Sequence, residues 1–116
     1  MTDILFQSQE NIAVITFNRP DVLNAFKRSM FQQLLDMLDT IANDDSIRAA
    51  LITGNGRAFS AGIDLEELSH LFDGSTVAEQ ARAELDEMQE LTRRMVNLRK
   101  PIISAINGVA VGVGAE

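Results

Sequence analysis

The 116-residue sequence contains no cysteine, tryptophan or tyrosine, and it has only two prolines and one histidine. Without cysteine it has neither a disulfide framework nor a thiolate-held metal. No apolar run approaches the roughly 18–20 residues that a bilayer-crossing helix needs. The start, MTDILFQSQEN, lacks the basic region and long apolar run of a secretory signal. A cytoplasmic protein without a membrane partner is therefore expected. Cations are also scarce, ten Lys and Arg against seventeen Asp and Glu, for a net charge of −7. That balance argues against a nucleic-acid binder, whose affinity comes from neutralising phosphates. It fits poorly with any highly anionic ligand as well, although net charge governs steering and not the existence of a local site. Internal repeats, low-complexity tracts and linkers are missing too, so residues 1–116 read as one domain.

What is present is ordinary globular composition, 46% apolar and 23% charged, arranged as strands alternating with helices. Ile4–Ser8 and Ile12–Phe17 are short β-prone runs joined by the polar Gln9-Glu10-Asn11, which predicts a hairpin. Arg19-Pro20 breaks the second strand, because proline lacks the N–H a ladder needs. From Ser29 to Ala42, Met30, Phe31, Leu34, Leu38 and Ile41 fall at helical spacing, with Ser29 as the expected N-cap and Asn43-Asp44-Asp45 as the stop. Ala49–Thr53 reads as a buried strand closed by the turn Gly54-Asn55-Gly56. A second helix is expected over Thr76–Leu98, signalled by Asp73-Gly74-Ser75, with Val77, Ala81, Leu85, Met88, Leu91 and Met95 on one face. Arg93, Arg94, Arg99 and Lys100 crowd its C-terminal end, where positive charge suits the helix dipole. Pro101 stops it, and Ile102–Ile106 forms the next strand. The pattern is α/β, and the opening hairpin makes the repeating unit β-β-α.

Two glycine-containing segments are the candidates for chemistry: GNGRAFSAGIDLEEL (Gly54–Leu68) and NGVAVGVGAE (Asn107–Glu116). Each is expected to follow a buried strand and lead towards a helix, a junction that presents free N–H groups and favours negative charge. Glycine lets the backbone turn sharply and lets a ligand approach. If the two junctions faced one another, two N–H donors would converge on one oxygen, as an oxyanion hole requires. Tight strand-to-helix packing is the plainer reading of either loop alone. Gly112-Val113-Gly114 also hints at a dinucleotide fingerprint, but a genuine one opens the first βα unit and needs an acidic residue about 20 positions on. A phosphate loop of the G-x-x-x-x-G-K-[ST] type is absent from the sequence.

At these residues the chain resembles the enoyl-CoA hydratase/isomerase (crotonase) superfamily. Four segments match in the family's order: Asn18-Arg19-Pro20 with Leu23-Asn24-Ala25, then GRAFSAGIDL, then Lys100-Pro101-Ile102-Ile103, then NGVAVGVGAE. The resemblance implies the N-terminal part of a crotonase-like spiral of β-β-α units, in proteins that assemble as homotrimers or as hexamers built of two trimers. It implies that Ile63, between Gly and Asp of A-G-x-D, and Val113, in the middle of the glycine-rich turn, donate the two oxyanion N–H groups. It also implies that Glu116, two residues after Gly114, is one of two catalytic carboxylates. Contacts to coenzyme A are implied for Ala25, Lys27, Ala61, Ile63, Asp64, Leu65 and Val113. The expected activity is hydration of a trans-2-enoyl-CoA, with the thioester as substrate and no separate cofactor. The alternatives are an enoyl- or dienoyl-CoA isomerase, or a non-catalytic CoA-binding or assembly subunit.

The chain departs from the family pattern at several points. Val113 stands where glycine is common, which requires an ordinary φ there, since a β-branched residue is strained at φ > 0. Glu66 replaces a lysine often found near the CoA phosphates, leaving compensation to Lys27, Arg28 or a neighbouring subunit. The segment Leu71–Gln80 is longer than in a typical hydratase and borders the acyl pocket. The family's second carboxylate and closing C-terminal helices have no counterpart in these 116 residues, so the isolated chain is expected to be inactive. His70 reads as a surface residue following a short helix, the methionines as core, and the acidic stretch Glu79–Glu90 as a solvated face without the histidines a metal site would use.

Overall fold

The computed structural model describes residues 2–74 and 78–116, with backbone only at 71 and 72. Two strands, β1 (Ile4–Gln9) and β2 (Ile12–Phe17), form the expected antiparallel hairpin, pairing Ile4 with Phe17 and Gln9 with Ile12. Its two-residue turn is made by Glu10 and Asn11, both at positive φ, which matches the twist of the flanking strands. Along β2 the inward positions Ala13, Ile15 and Phe17 are buried, the period-2 signature of a one-sided sheet.

Helix α1 (Arg28–Asn43) crosses from β2 to β3 (Ala49–Gly54), which pairs parallel to β2. The helix begins one residue before the expected cap. Lys27 is the N-cap, so Ser29 lies inside the first turn and caps nothing. Met30, Phe31, Leu34, Leu35, Leu38 and Ile41 are buried and meet the sheet in one apolar core. Asp44 ends the helix, as expected. The lysine credited to the end of the later helix serves this one instead. Lys100 Nζ donates to the Ile41 and Asp44 carbonyls at 2.6 and 2.8 Å, satisfying groups that a helix end leaves open.

After β3 the chain forms a three-residue strand, β4 (Ala58–Ser60), and a short helix, α2 (Leu65–Phe72). His70, expected after such a helix, lies exposed within its last turn, and Asp73 is its C-cap. Helix α3 spans Ala78–Asn97; the expected start at Ser75, Thr76 and Val77 lies outside the described residues. Among the described residues of the predicted apolar face only Leu91 is buried, Met88 and Met95 are half-buried against the core, and Leu85 is exposed.

Strand β5 (Ile102–Ser104) pairs parallel to β3, completing a four-stranded sheet of order β1-β2-β3-β5. It is shorter than expected and is not buried: Ile103 is exposed and Ile102 half-buried. The two-residue β6 (Val109–Ala110) pairs parallel to β4 in a second small sheet. From β3 onward, then, each first strand of a β-β pair joins the large sheet and each second strand joins the small one. That division turns the chain into a spiral and sets the second strands side by side.

Candidate functional site

The pairing of β4 with β6 brings the two glycine loops together, which neither loop could reveal alone. Ala58 pairs with Val109 and Ser60 with Ala110, and the Val111 N–H donates to the Ser60 carbonyl at 3.1 Å. A β-carbon placed on Gly62 would sit 3.1 Å from the Val111 carbonyl oxygen and 3.9 Å from Gly112 Cα. At Gly114 the approach is tighter still, with Ser60 atoms 2.6 Å from where a β-carbon would stand. Ser60 itself is fully buried; its Oγ donates to the Asn24 carbonyl and accepts the Gly62 N–H.

Gly62 has φ +98° and Gly112 φ +55°, a backbone region that glycine enters without the strain of a side chain. Each precedes a proposed donor. Ile63 forms an isolated parallel bridge with Phe26, but the bonds of that bridge run from Phe26 N–H to the Gly62 carbonyl (2.8 Å) and from Asp64 N–H to the Phe26 carbonyl (2.9 Å). The Ile63 N–H is thus left without an acceptor among the described residues. Val113 is the middle of a 3₁₀ turn, Gly112–Gly114, whose bonds are made by the N–H groups of Gly114 and Ala115. Its own N–H is likewise without an acceptor among the described residues, and its φ is not positive, which agrees with the requirement set by its β-branch.

Both residues line one cavity of about 430 Å³. Its inner wall is aromatic, built by Phe17, Phe26, Phe31 and Phe59, three pairs of which meet edge-on or tilted with ring centroids 4.9–5.6 Å apart. Leu85, Met88 and Thr92 of α3 form the facing wall, and Glu116 lies at the rim. Two unsatisfied N–H groups on a largely apolar cavity have the chemistry to stabilise an oxygen on which negative charge develops. Among the described residues no group of three His, Asp or Glu could hold a metal ion.

Two side chains that the sequence reading used only as motif letters hold this geometry. Asn24, fully buried at φ 57°, donates to the Asn55 and Ala58 carbonyls and accepts the Arg19 N–H at 2.7 Å. Arg19 donates through Nη1 to the Ala25 carbonyl (2.6 Å) and to Asp64 Oδ2 (3.1 Å). Asp64 in turn caps α2 by accepting the Glu66 N–H at 2.9 Å. Burial works against the Asp64 charge, but the Glu66 N–H, the Arg19 guanidinium and the Glu67 N–H outweigh it and hold the carboxyl below its ordinary value. The signal for this pair lay in Arg19 and in A-G-I-D, 45 residues apart, beyond the reach of local pattern.

The remaining expected CoA contacts spread around the site. Ala25 is buried, Ala61 is half-buried and donates to the Leu23 carbonyl, and Leu65 is 77% exposed. Lys27 lies 3.1 Å from Asp3, and Arg28 is paired with Glu84 and Glu87. Both cations expected to offset Glu66 therefore carry carboxylate partners within the chain. A groove of about 270 Å³ at the ends of α1 and α3 gathers four more cations, but Arg93 pairs with Glu90, Arg94 with Asp39, and Lys100 is engaged with α1.

Comparison with known proteins agrees with this architecture. The chain is 34% identical to a 2,3-dehydroadipyl-CoA hydratase and 39% identical to a 1,2-epoxyphenylacetyl-CoA isomerase, both of Escherichia coli. All or nearly all of the chain aligns, over 43% and 44% of those proteins, so it spans less than half the length of these relatives. Among solved structures it superposes on an enoyl-CoA hydratase/isomerase of Mycobacterium paratuberculosis with a TM-score of 0.86 and 36% identity, covering 98% of this chain and 45% of that one. On a crotonase-group structure of Legionella pneumophila the TM-score is 0.91 at 28% identity, with 99% and 44% covered. The model of the enoyl-CoA hydratase/isomerase family matches residues 7–116, and with the crotonase-type fold this establishes that the chain belongs to that family.

Proposed function

We propose that the protein acts on acyl-CoA thioesters and hydrates a trans-2-enoyl-CoA. The Ile63 and Val113 N–H groups polarise the thioester carbonyl, and Glu116 exchanges a proton with the attacking water. One observation carries this reading: two amides, each preceded by a glycine at positive φ and each without an acceptor among the described residues, open onto one cavity. Polarisation needs backbone donors alone, so isoleucine and valine are acceptable at these positions. Addition of water to the double bond needs a proton donor and acceptor at the cavity rim, and Glu116 lies there. No cofactor enters this reaction, since the thioester itself is the activated group. A homotrimer or a hexamer in the cytoplasm remains the proposed setting.

Isomerisation is the second reading, since relatives named as an isomerase and as a hydratase are equally similar, both 39% identical. The two share thioester polarisation and differ in where the proton goes. The test is loss of enoyl-thioester absorbance by the full-length protein. Hydration and double-bond migration away from the carbonyl both remove that chromophore, so the product mass decides: hydration adds one water, and migration leaves the mass unchanged. Glu116→Gln is expected to lower the hydration rate by roughly 10²–10⁴, the scale of one general acid/base. An unchanged rate would remove Glu116 from the mechanism.

A further inference from the structure

Helix α3 is held in two different ways along its length. From Leu91 onward it is anchored by packing: Leu91 is buried, Met95 meets the core, and Arg94 pairs with Asp39 of α1. Its first half, residues 78–88, contains no buried residue. Met88, at its end, packs half-buried against the core; among the described residues, the turns before it are tied down by one guanidinium. Arg28, at the first turn of α1, donates through Nη1 to Glu84 (3.2 Å), through Nη2 to Glu87 (3.3 Å) and more weakly through Nε to the same carboxylate (3.5 Å). The Arg28 backbone N–H meets Glu67 of α2 at 3.3 Å, so three helices converge on this residue.

The convergence lies beside the proposed donor. Arg28, Glu67, Glu84, Met88, Phe26 and Ile63 enclose a void of about 10 Å³, too small for any substrate group. Phe26, Ile63 and Met88 also line the large cavity. Phe31 is common to both as well, and Met88 is the α3 residue that lines both. Outward movement of the first half of α3 would join them, adding room next to Ile63.

We propose that the first half of α3 is a lid on the cavity, hinged near Leu91 and latched by the Arg28–Glu84–Glu87 ion cluster, and that the latch limits how bulky an apolar group can sit beside Ile63. Hydrophobic packing alone would fix the lid in place, whereas exposed ion pairs are individually weak and screened by salt. An ionic latch on a half-helix whose only core contact among the described residues is the half-buried Met88 therefore opens at low cost while the rest of the fold stays intact. This goes beyond the acyl-CoA reading and stands or falls separately from it, because it concerns backbone opening and cavity access.

Hydrogen–deuterium exchange on the intact protein tests it. Arg28→Met, Glu84→Gln with Glu87→Gln, and 0.5 M sodium chloride on the unaltered protein are each expected to speed exchange across residues 78–88. The expected factor is about two- to fivefold, the scale of a small exposed ion network, with residues 91–97 unchanged. Entry of a bulky apolar dye, 8-anilinonaphthalene-1-sulfonate, should rise in parallel. The charge swap Arg28→Glu with Glu84→Arg and Glu87→Arg should restore slow exchange. If exchange over 78–88 is the same in all three conditions, or rises equally over 91–97, there is no latch. Should Arg28→Met fail to fold, the salt series and the double glutamine variant decide alone.

Discussion

Ile63 contributes neither of its own backbone groups to the bridge with Phe26; the ladder bonds belong to Gly62 and Asp64. Its N–H is the separable feature of the residue, and substitutions distinguish it from the side chain. Ile63→Ala should leave turnover nearly intact, while Ile63→Pro deletes the donor and should cost roughly 10²–10³ in rate, as removal of one oxyanion contact does. Equal losses in steady-state kinetics would refute a backbone role. Asp64 supplies a pH-dependent counterpart. Its folded pKa lies below the ordinary 3.8. The stability it adds is therefore present above that ordinary value and is lost as pH falls through the lower folded one. Asp64→Asn should make the acid limb of a stability–pH curve shallower below about pH 4, measured by urea unfolding of the full-length protein. A curve parallel to the parent's would mean that Arg19 and Asp64 contribute nothing to folding.

At the scale of elements, the decisive contact is between β4 and β6. Both strands are very short, three and two residues, and isolated strands of that size are not stable in water. They persist because their neighbours are already placed. Asn24 ties the start of β4 by accepting and donating at once, and Asn107 reaches across to the Gly56 and Ala58 carbonyls at 2.9 and 3.1 Å. Gly114 seals the junction, with no room for a β-carbon above Ser60. Gly114→Ala should force the glycine turn away from the Ile63 loop. The expected cost is about 1–3 kcal/mol of stability, the usual price of overpacking, together with loss of turnover. A variant that unfolds at the parent's urea midpoint and keeps full activity would show that the close approach is dispensable.

For the molecule as a whole, the buried apolar surface is one-sided. The core lies between α1 and β1–β3, while Ile103, Ile106, Val109 and Val111 on the β5–β6 side are about half exposed or more. Apolar groups clustered in this way on one side of a small sheet ordinarily face a partner surface. Residues 1–116 expressed alone are expected to bind 8-anilinonaphthalene-1-sulfonate and to melt over a broad range, with no hydratase turnover. A sharp calorimetric transition with activity would overturn that expectation.

The α/β pattern, the hairpin, α1 with its buried stripe, and the two glycine loops were all legible in the sequence. Each rests on periods of 2 or 3.6 residues, or on glycine and proline chemistry, which act over a few positions. Ile63 and Val113 were reached through the resemblance to the crotonase superfamily, and the structure adds that each directly follows a glycine at positive φ. The tertiary structure alone decided that the two loops meet, because β4 and β6 are too short to announce themselves and pair only when the larger sheet has set their neighbours. It alone joined Arg19 to Asp64 and Arg28 to Glu84 and Glu87, contacts 45 to 59 residues apart. It also moved Lys100 from the helix it follows to the helix it touches. Local sequence determines which backbone shapes are cheap; which of the resulting polar groups become partners depends on where the sheet order puts them.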